Sequence, residues 1–599
     1  MRRRPLLQAL GAAPGALLLG RGAAAATPPP GVLRVAFGIA PTGFDPPQVS
    51  DEPAVTLGAH IFESPFTYDW LAWPMRIRPQ TAAALPEVSQ DFRRFVVTLQ
   101  RGILFADDPA FGGRPRELVA ADYVYSIKRY YDPRWKSEHL HVFENAGLLG
   151  LGELRRRALA ARAPFDYDSE ADGLRVLDRY RFEIRLAAAA PRFVHTLVQP
   201  TFAGAVAREV VERYRDDDLM AHPVGTGPFM LQDWRRGSHA VLVRNPRFRE
   251  QHFDADPPAD DAAALATAER LRGRRLPPIE RIEADFIDET QPRWLAFLNG
   301  EHDVLVVPPE YAPLAVPGGT LAPHLARRGV RAQRLLSANV SHTFFNCEDP
   351  VVGGYAPPQV ALRRAIALAC DNAAEVRVVL HDEALPAMSL VPPQTYGYDA
   401  ALRSELGAPS TARANALLDL YGYADRDRDG WREMPDGRPL RLLLASRSDQ
   451  TARRSNELWT RRMRAVGLRM AFDVAPFGEL IKRSLAGQLM MWSFNWSGPA
   501  PDCDFFLGLG YGPNADQSND ARFRLPAYDR LYERQRVLPD GPERLALIGQ
   551  ATRTLLAYMP YLPHYHLVQT ILSQPRVRVH RRHPFLGDWG RYSEVGSPL

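Results

Sequence analysis

Cysteine and lysine are both scarce in this 599-residue chain, with three of each: Cys347, Cys370 and Cys503, and Lys128, Lys136 and Lys482. The cysteines form no CxxC pair, which excludes a zinc knuckle and a dithiol redox motif. They leave open either one disulfide with a free thiol or three buried, small apolar side chains. No HExxH, no GxSxG and no paired-carboxylate motif is present, so the common hydrolase signatures are missing. Beyond the N-terminus no apolar run approaches the ~20 residues that span a bilayer. With so few lysines, arginine carries the positive charge, and no Arg-rich run stands out as a binding stripe. The net charge is +5, and four of these charges are Arg2, Arg3, Arg4 and Arg21 in an acid-free stretch of 26 residues; the remainder carries +1. A near-neutral body has no global field to hold nucleic acid or an anionic membrane.

What is present describes a large folded protein. The length exceeds one compact core and implies two or three lobes. An apolar fraction of 46% and a charged fraction of 24% are those of a soluble globular chain. Arg2-Arg3-Arg4, the apolar Ala9 to Gly20 and the small-residue Ala24-Ala25-Ala26 spell an export signal, with the mature chain starting near Thr27. Arg3-Arg4-Pro5-Leu6-Leu7-Gln8 resembles a twin-arginine signal, without the usual Ser or Thr before the pair. No cysteine adjoins the cleavage site, so a free periplasmic protein is expected, not a lipoprotein.

Val32 to Phe37 reads as a first strand, and periodicity predicts strands around Phe95, Val97 and Leu99 and at Tyr180 to Leu186, where apolar residues alternate with Arg181, Glu183 and Arg185. It predicts a helix over Ala120 to Arg129, and a hairpin whose turn is Arg235 to Ser238. Gln251 to Leu276 reads as a surface insertion. From Leu440 onward strand and helix alternate: Leu440 to Leu444, Asn456 to Val466, Leu468 to Val474, Glu479 to Leu485 and Leu489 to Phe494. That spacing implies βαβ units and a parallel sheet. No repeat of fixed period is found.

Seven phrases, in order, carry a family resemblance. They are Phe44-Asp45-Pro46; Ile61-Phe62-Glu63-Ser64-Pro65; Phe95 to Phe105; and Leu118 to Arg129. Pro223-Val224-Gly225-Thr226-Gly227-Pro228-Phe229 follows, with Trp234 and Arg244-Asn245-Pro246; then come Phe297 to Val304 and Leu362 to Asp371. Together they resemble the extracytoplasmic solute-binding proteins of the peptide/nickel type (family 5), which feed ATP-driven importers. The resemblance implies an α/β, two-lobed periplasmic binding protein-like fold of the large three-domain, oligopeptide-binding kind. It implies a signal peptide over 1–26, a core domain of lobe 1 from 31–66, 214–336 and 563–596, an additional lobe 1 domain over 67–213, and a lobe 2 α/β domain over 337–562.

Several residue groups invite a chemical reading. Gly225-Thr226-Gly227 lacks the lysine of a phosphate loop, and Pro228 removes a donor, so the glycines supply positive φ or close backbone approach instead. Gly150-Leu151-Gly152 lacks the third glycine of a dinucleotide fingerprint. Asp425-Arg426-Asp427-Arg428-Asp429-Gly430 opens like a calcium loop, but its twelfth position is Asp436 and Pro435 interrupts it. His564 and His566 lie two residues apart on an expected strand; by the resemblance they return beside the cleft and touch ligand, and otherwise they are a partly buried strand edge. Phe494-Asn495-Trp496-Ser497-Gly498-Pro499 follows the last strand of the α/β lobe, where such sheets place ligands. Trp496 is then a flat apolar wall, or else ordinary core. In the resembled family an aspartate here pairs with a peptide's amino terminus. The corresponding residue is Pro499, and Asp502, Asp504 or the Asp51-Glu52 loop are the remaining acidic candidates.

The expected function is solute capture for an importer, with a peptide-like ligand held between lobes that close by a hinge. The candidate ligand residues are Trp496, Asn495, Phe494, Asp502, Asp51, Glu52, His564 and His566. No catalytic residue, metal or cofactor is expected. The partners are the ligand and the permease subunits of an ABC importer, with no nucleic acid, and the protein is expected to be a monomer. A secreted hydrolase using the same cleft, or a solute sensor serving a receptor, are the rival readings.

Overall fold

The computed structural model describes residues 31–216 and 218–596. The export signal expected over 1–26 lies outside the described residues. Among the described residues no helix is long and apolar enough to cross a membrane.

One mixed sheet of twelve strands runs through the molecule. At its start Val32–Phe37 lies parallel to Arg281–Phe286, in register from Val32 opposite Arg281 to Phe37 opposite Phe286. The hairpin Phe229–Arg235 and His239–Arg244 extends that edge. At the other end Arg441–Ser446 is parallel to Arg469–Val474 and pairs Met491–Ser497 through Leu444 and Ala445. The expected strand–helix alternation is therefore a parallel sheet, with Gln450–Arg464 and Phe477–Leu485 as its crossover helices.

The two ends are joined by the 13-residue strand Tyr561–Ser573. Its first half pairs with Asn339–Phe345 and its second half with Arg331–Leu336 and Val304–Val306. Pro563 has no N–H to give a ladder, and the register shifts next to it, between Ser341 and His342. The chain thus crosses between lobes twice side by side, at Ser337–Ala338 and at His566–Leu567, where the Ser337 amide donates to the Leu567 carbonyl at 2.9 Å. Two adjacent single crossings are the geometry of a hinge.

A separate four-stranded antiparallel sheet, Glu87–Val88, Arg94–Thr98, Arg181–Arg185 and Leu174–Asp178, packs on the helix Ala120–Tyr131. Phe95, Val97, Phe182 and Ile184 are buried with Tyr123 and Ile127 in one apolar core. Glu183, expected on the wet face, is buried too and is held by Arg94 and Arg185. The Gln251 to Leu276 stretch is more than a surface insertion. It carries the helix Ala262–Leu271, and Phe253, Leu271 and Leu276 bury against Trp70 and Tyr592.

The phrases that carry the resemblance meet in space. Asp45 takes both guanidinium nitrogens of Arg129, at 2.7 and 2.8 Å, in full burial. Glu63 is buried and receives Arg249, Arg591 and Thr226. Burial pushes its pKa up, but the two guanidinium charges outweigh that and hold it at about 2. Gly225 and Gly227 serve close approach rather than positive φ: an added Cβ would stand 2.0 Å from the Ile61 carbonyl oxygen at the first and 2.5 Å from that of His60 at the second. The three cysteines are free and buried.

Candidate ligand site between the lobes

Two cavities open along the seam between the lobes. The smaller, about 330 Å3, is walled on one side by the segment from His141 to Phe202 and on the other by Pro499 to Val537. The larger, about 670 Å3, lies beside the crossing strand Arg331–Leu336 and the segment Arg578 to Pro584, with Gln394 reaching it from the opposite lobe. Both fall within the size range of small-molecule sites.

Around the smaller cavity the lobes are tied by exchanged arginines. Arg192 donates to the carbonyls of Leu538 at 2.8 Å and Arg536 at 2.5 Å, at the C-terminal end of the helix Pro526–Val537. A guanidinium there meets the negative end of the helix dipole as well as unsatisfied carbonyls. In return, Arg536 in the last turn of that helix donates to the Asn145 carbonyl at 2.9 Å, near the end of Leu140–Ala146 on the opposing side. Gln199 adds a third tie, donating to the carbonyls of both Pro499 and Phe585 at 2.9 Å.

Trp496 and Asn495 do not lie in a loop after the last strand; they are part of it, with Trp496 opposite Val340 and Asn495 opposite Ser341. Opposed residues of an antiparallel pair share a face, so the two side chains point to opposite faces. Trp496 is half-buried, edge-on to Phe494 and Phe505, and donates to Asp520 at 3.2 Å. Burial raises the Asp520 carboxyl to about 6. Phe494 stacks on Trp492, with 4.4 Å between ring centres. Asn495 is exposed. Phe505, against which Trp496 packs, lines the smaller cavity; Trp496 stands one ring behind that wall.

Asp502 also lines the smaller cavity, but Arg544 holds both of its oxygens at 2.7 Å. Asp504 accepts from Gln535 at 2.7 Å. Asp51 caps the helix Glu52–Ile61 through the Ala54 amide at 2.9 Å and accepts from Thr42. Glu52 is exposed, 3.6 Å from Arg582 of the larger cavity. His564 and His566 are buried within lobe 2: His564 contacts Thr343 at 2.7 Å and Asn372 at 3.2 Å, and His566 contacts the Asn339 carbonyl at 2.7 Å. Burial lowers both rings to about 4. The predicted residues thus divide among the smaller cavity, the rim of the larger one and the interior of lobe 2. In the Asp425 turn, oxygens of Asp425, Asp427, Asp429 and Glu433 lie within 4.8 Å of one another, all on residues at or near the surface.

Sequence reasoning missed Arg192 and Arg536. Arg192 follows an alanine-rich stretch with no periodicity, and nothing in its neighbours marks it. The segment Arg576 to His583 was legible, with four arginines and two histidines in eight residues.

The profile of the bacterial extracellular solute-binding proteins, family 5 Middle, matches residues 76–518, and the chain belongs to that family. It is a solute-binding protein of the kind that serves ATP-driven importers, and the family is one of binding proteins rather than enzymes. Among its relatives, "Di/tripeptide-binding protein 2" of Pseudomonas aeruginosa (strain UCBPP-PA14) is 26% identical over 575 residues, covering 93% of each chain. "Probable deoxycholate-binding periplasmic protein YgiS" of Escherichia coli is 23% identical, covering 90% of this chain and 88% of that one. Among solved structures, the Helicobacter pylori periplasmic binding protein DppA in complex with the peptide STSA superposes with a TM-score of 0.73 at 16% identity, over 94% of this chain and 98% of that one. The Escherichia coli murein tripeptide binding protein MppA gives 0.71 at 18%, over 95% and 99%. These likenesses establish the large two-lobed α/β fold expected from the sequence.

Proposed function

We propose that the protein captures a short, peptide-like solute in the smaller seam cavity and delivers it to the permease subunits of its importer. What supports this reading is a cavity of about 330 Å3 lined from both lobes, beside side-chain ties that only a closed seam can make. A solute touching both walls favours the closed population by as much as it binds that form better. Phe505 and Phe193 supply apolar wall, with Trp496 and Phe494 as the stiff layer behind Phe505 and Asn495 on the opposite face of their strand. Asp502 positions Arg544 and Arg192 rather than meeting a ligand amine directly. Asp51 and Glu52 hold the loop toward the larger cavity, and His564 and His566 stiffen the hinge-proximal strand. The domain boundaries follow those read from the sequence, 31–66 with 214–336 and 563–596, then 67–213, then 337–562, with the return to lobe 1 shifted from 563 to His566–Leu567, where the strand Tyr561–Ser573 changes partners. The mature protein begins near Thr27, carries no lipid and works as a monomer in the periplasm. The reading is tested by native mass spectrometry of the protein purified from its own periplasm. A retained mass matching a di- to tetrapeptide is expected. A retained non-peptide solute, together with no calorimetric heat from a di- and tripeptide panel, would overturn it.

A further inference from the structure

The larger cavity of the seam plays no part in the reading above, and its charge is unbalanced. Five arginines line it, Arg331, Arg334, Arg578, Arg581 and Arg582, against one acid, Asp261. Three have carboxylate partners: Arg334 with Glu383 at 3.1 Å, Arg581 with Asp261 at 2.9 Å and Arg582 with Glu52 at 3.6 Å. The side chains of Arg331 and Arg578 have no hydrogen-bond or ion-pair partner among the described residues. Two positive charges are therefore left without counter-charge at the wall of one cavity.

Buried donors point the same way. The ring of His583 accepts the Phe585 amide at Nδ1, at 3.1 Å, which puts its own hydrogen on Nε2. That Nε2 is buried and has no partner, and the same holds for Nε of Arg582. A buried donor without an acceptor is costly, and native proteins rarely leave one unmet. Gln394, the lining residue from the other lobe, has a buried side-chain oxygen without a partner, an acceptor that gains nothing from an anion unless the amide turns its N–H toward the cavity. Its backbone sits in the left-handed region at φ 69°, rare for a residue other than glycine and characteristic of ligand clamps.

We propose that this larger cavity is a second, anion-binding site of the seam, one that holds a solute bearing two carboxylate groups. The inference rests on the reading of the seam as the place of solute capture, and it adds a second site there with its own charge class. Arg331 and Arg578 supply the two counter-charges, and planar guanidinium groups match carboxylates in a two-bond fork. His583 and Arg582 supply fixed donors, and Gln394 can turn its amide to present N–H from the opposite lobe, so an anion here also favours closure.

The test is calorimetry at low salt on the full mature chain with three probes, glutarate, glutaramide and inorganic phosphate, and with the neutral dipeptide alanylphenylalanine alongside. Glutarate is expected to bind at least about tenfold more tightly than its diamide, and Arg331→Gln with Arg578→Gln to weaken glutarate at least about tenfold, the scale of losing charge-assisted contacts. Both arginines are exposed, so the double variant keeps its core. Equal binding of glutarate and glutaramide, or glutarate binding untouched by the double variant, overturns the proposal. Phosphate binding more tightly than glutarate overturns the dicarboxylate assignment. If glutarate binds as expected while alanylphenylalanine does not, the anion site stands and the peptide reading falls; the reverse pattern removes the anion site alone.

Discussion

Arg192 and Asp502 face each other across the seam, with Nε of the arginine 3.7 Å from a carboxylate oxygen that Arg544 already holds at 2.7 Å. The arginine reaches from one lobe into a charged corner of the other, and its strongest bonds go to helix carbonyls. A contact made only when the lobes meet stabilises the closed form alone, so it acts on affinity without touching the ligand.

Arg192→Ala should therefore shift the protein toward open forms. Losing hydrogen bonds from a charged donor costs roughly 1.5–3 kcal/mol, and about 1.4 kcal/mol is tenfold in an equilibrium. The expected result is a ligand affinity at least about tenfold weaker, with a larger radius of gyration in small-angle scattering and a nearly unchanged melting temperature. An unchanged affinity and radius would remove the latch.

Free-amine recognition should be weak at Pro499. That residue has no carboxylate, its carbonyl is taken by Gln199, and Asp502 is occupied by Arg544. Where a desolvated charge pair is truncated, the loss is typically ~2–5 kcal/mol. For this protein, N-acetylation of a bound peptide should cost well under that range by calorimetry. A full-sized loss that survives Asp504→Asn would mean that the amine is anchored elsewhere, with Asp51 and Glu52 next to be tested.

The Asp502–Arg544 pair is a stability element. Both groups are buried, and removing one partner leaves an uncompensated charge that typically costs ~3–5 kcal/mol. Arg544→Ala should lower the urea midpoint accordingly, and the double variant with Asp502→Ala should recover part of the loss. Additive losses would show that the two residues are not coupled.

Asp520 makes stability depend on pH. Its folded value, raised to about 6 by burial, lies above the ordinary 3.8 of the free side chain. The neutral form is thus favoured by folding, and that contribution is complete below about pH 3.8 and lost as pH rises through about 6. Asp520→Asn keeps an acceptor for Trp496 and should raise stability at pH 7 by up to about 2 kcal/mol, with a smaller gain at pH 4.5. Urea titrations at the two pH values decide it; an equal change at both would exclude ionisation of Asp520 as the cause.

Much of the fold was legible in the sequence because it rests on local rules. Period-two alternation marked Arg181–Arg185, an apolar run marked Val32–Phe37, strand–helix spacing marked the parallel lobe, and Gly225-Thr226-Gly227 marked a place where backbones touch. Each of these depends on residues within about one element of each other. The family, too, could be read from short phrases, and those phrases turned out to be contacts such as Asp45 with Arg129. The site depended on the tertiary structure. Trp496 differs little in sequence from a tryptophan facing solute, and only the ring of Phe505 in front of it sets it back from the cavity. Asp502 looks like a free carboxylate until Arg544, 42 residues on, closes over it. Arg192 gains its role from a helix end more than 340 residues away. A binding cleft is made of groups that two separately folded lobes bring together, and no local pattern encodes which of those groups will already be paired when they arrive.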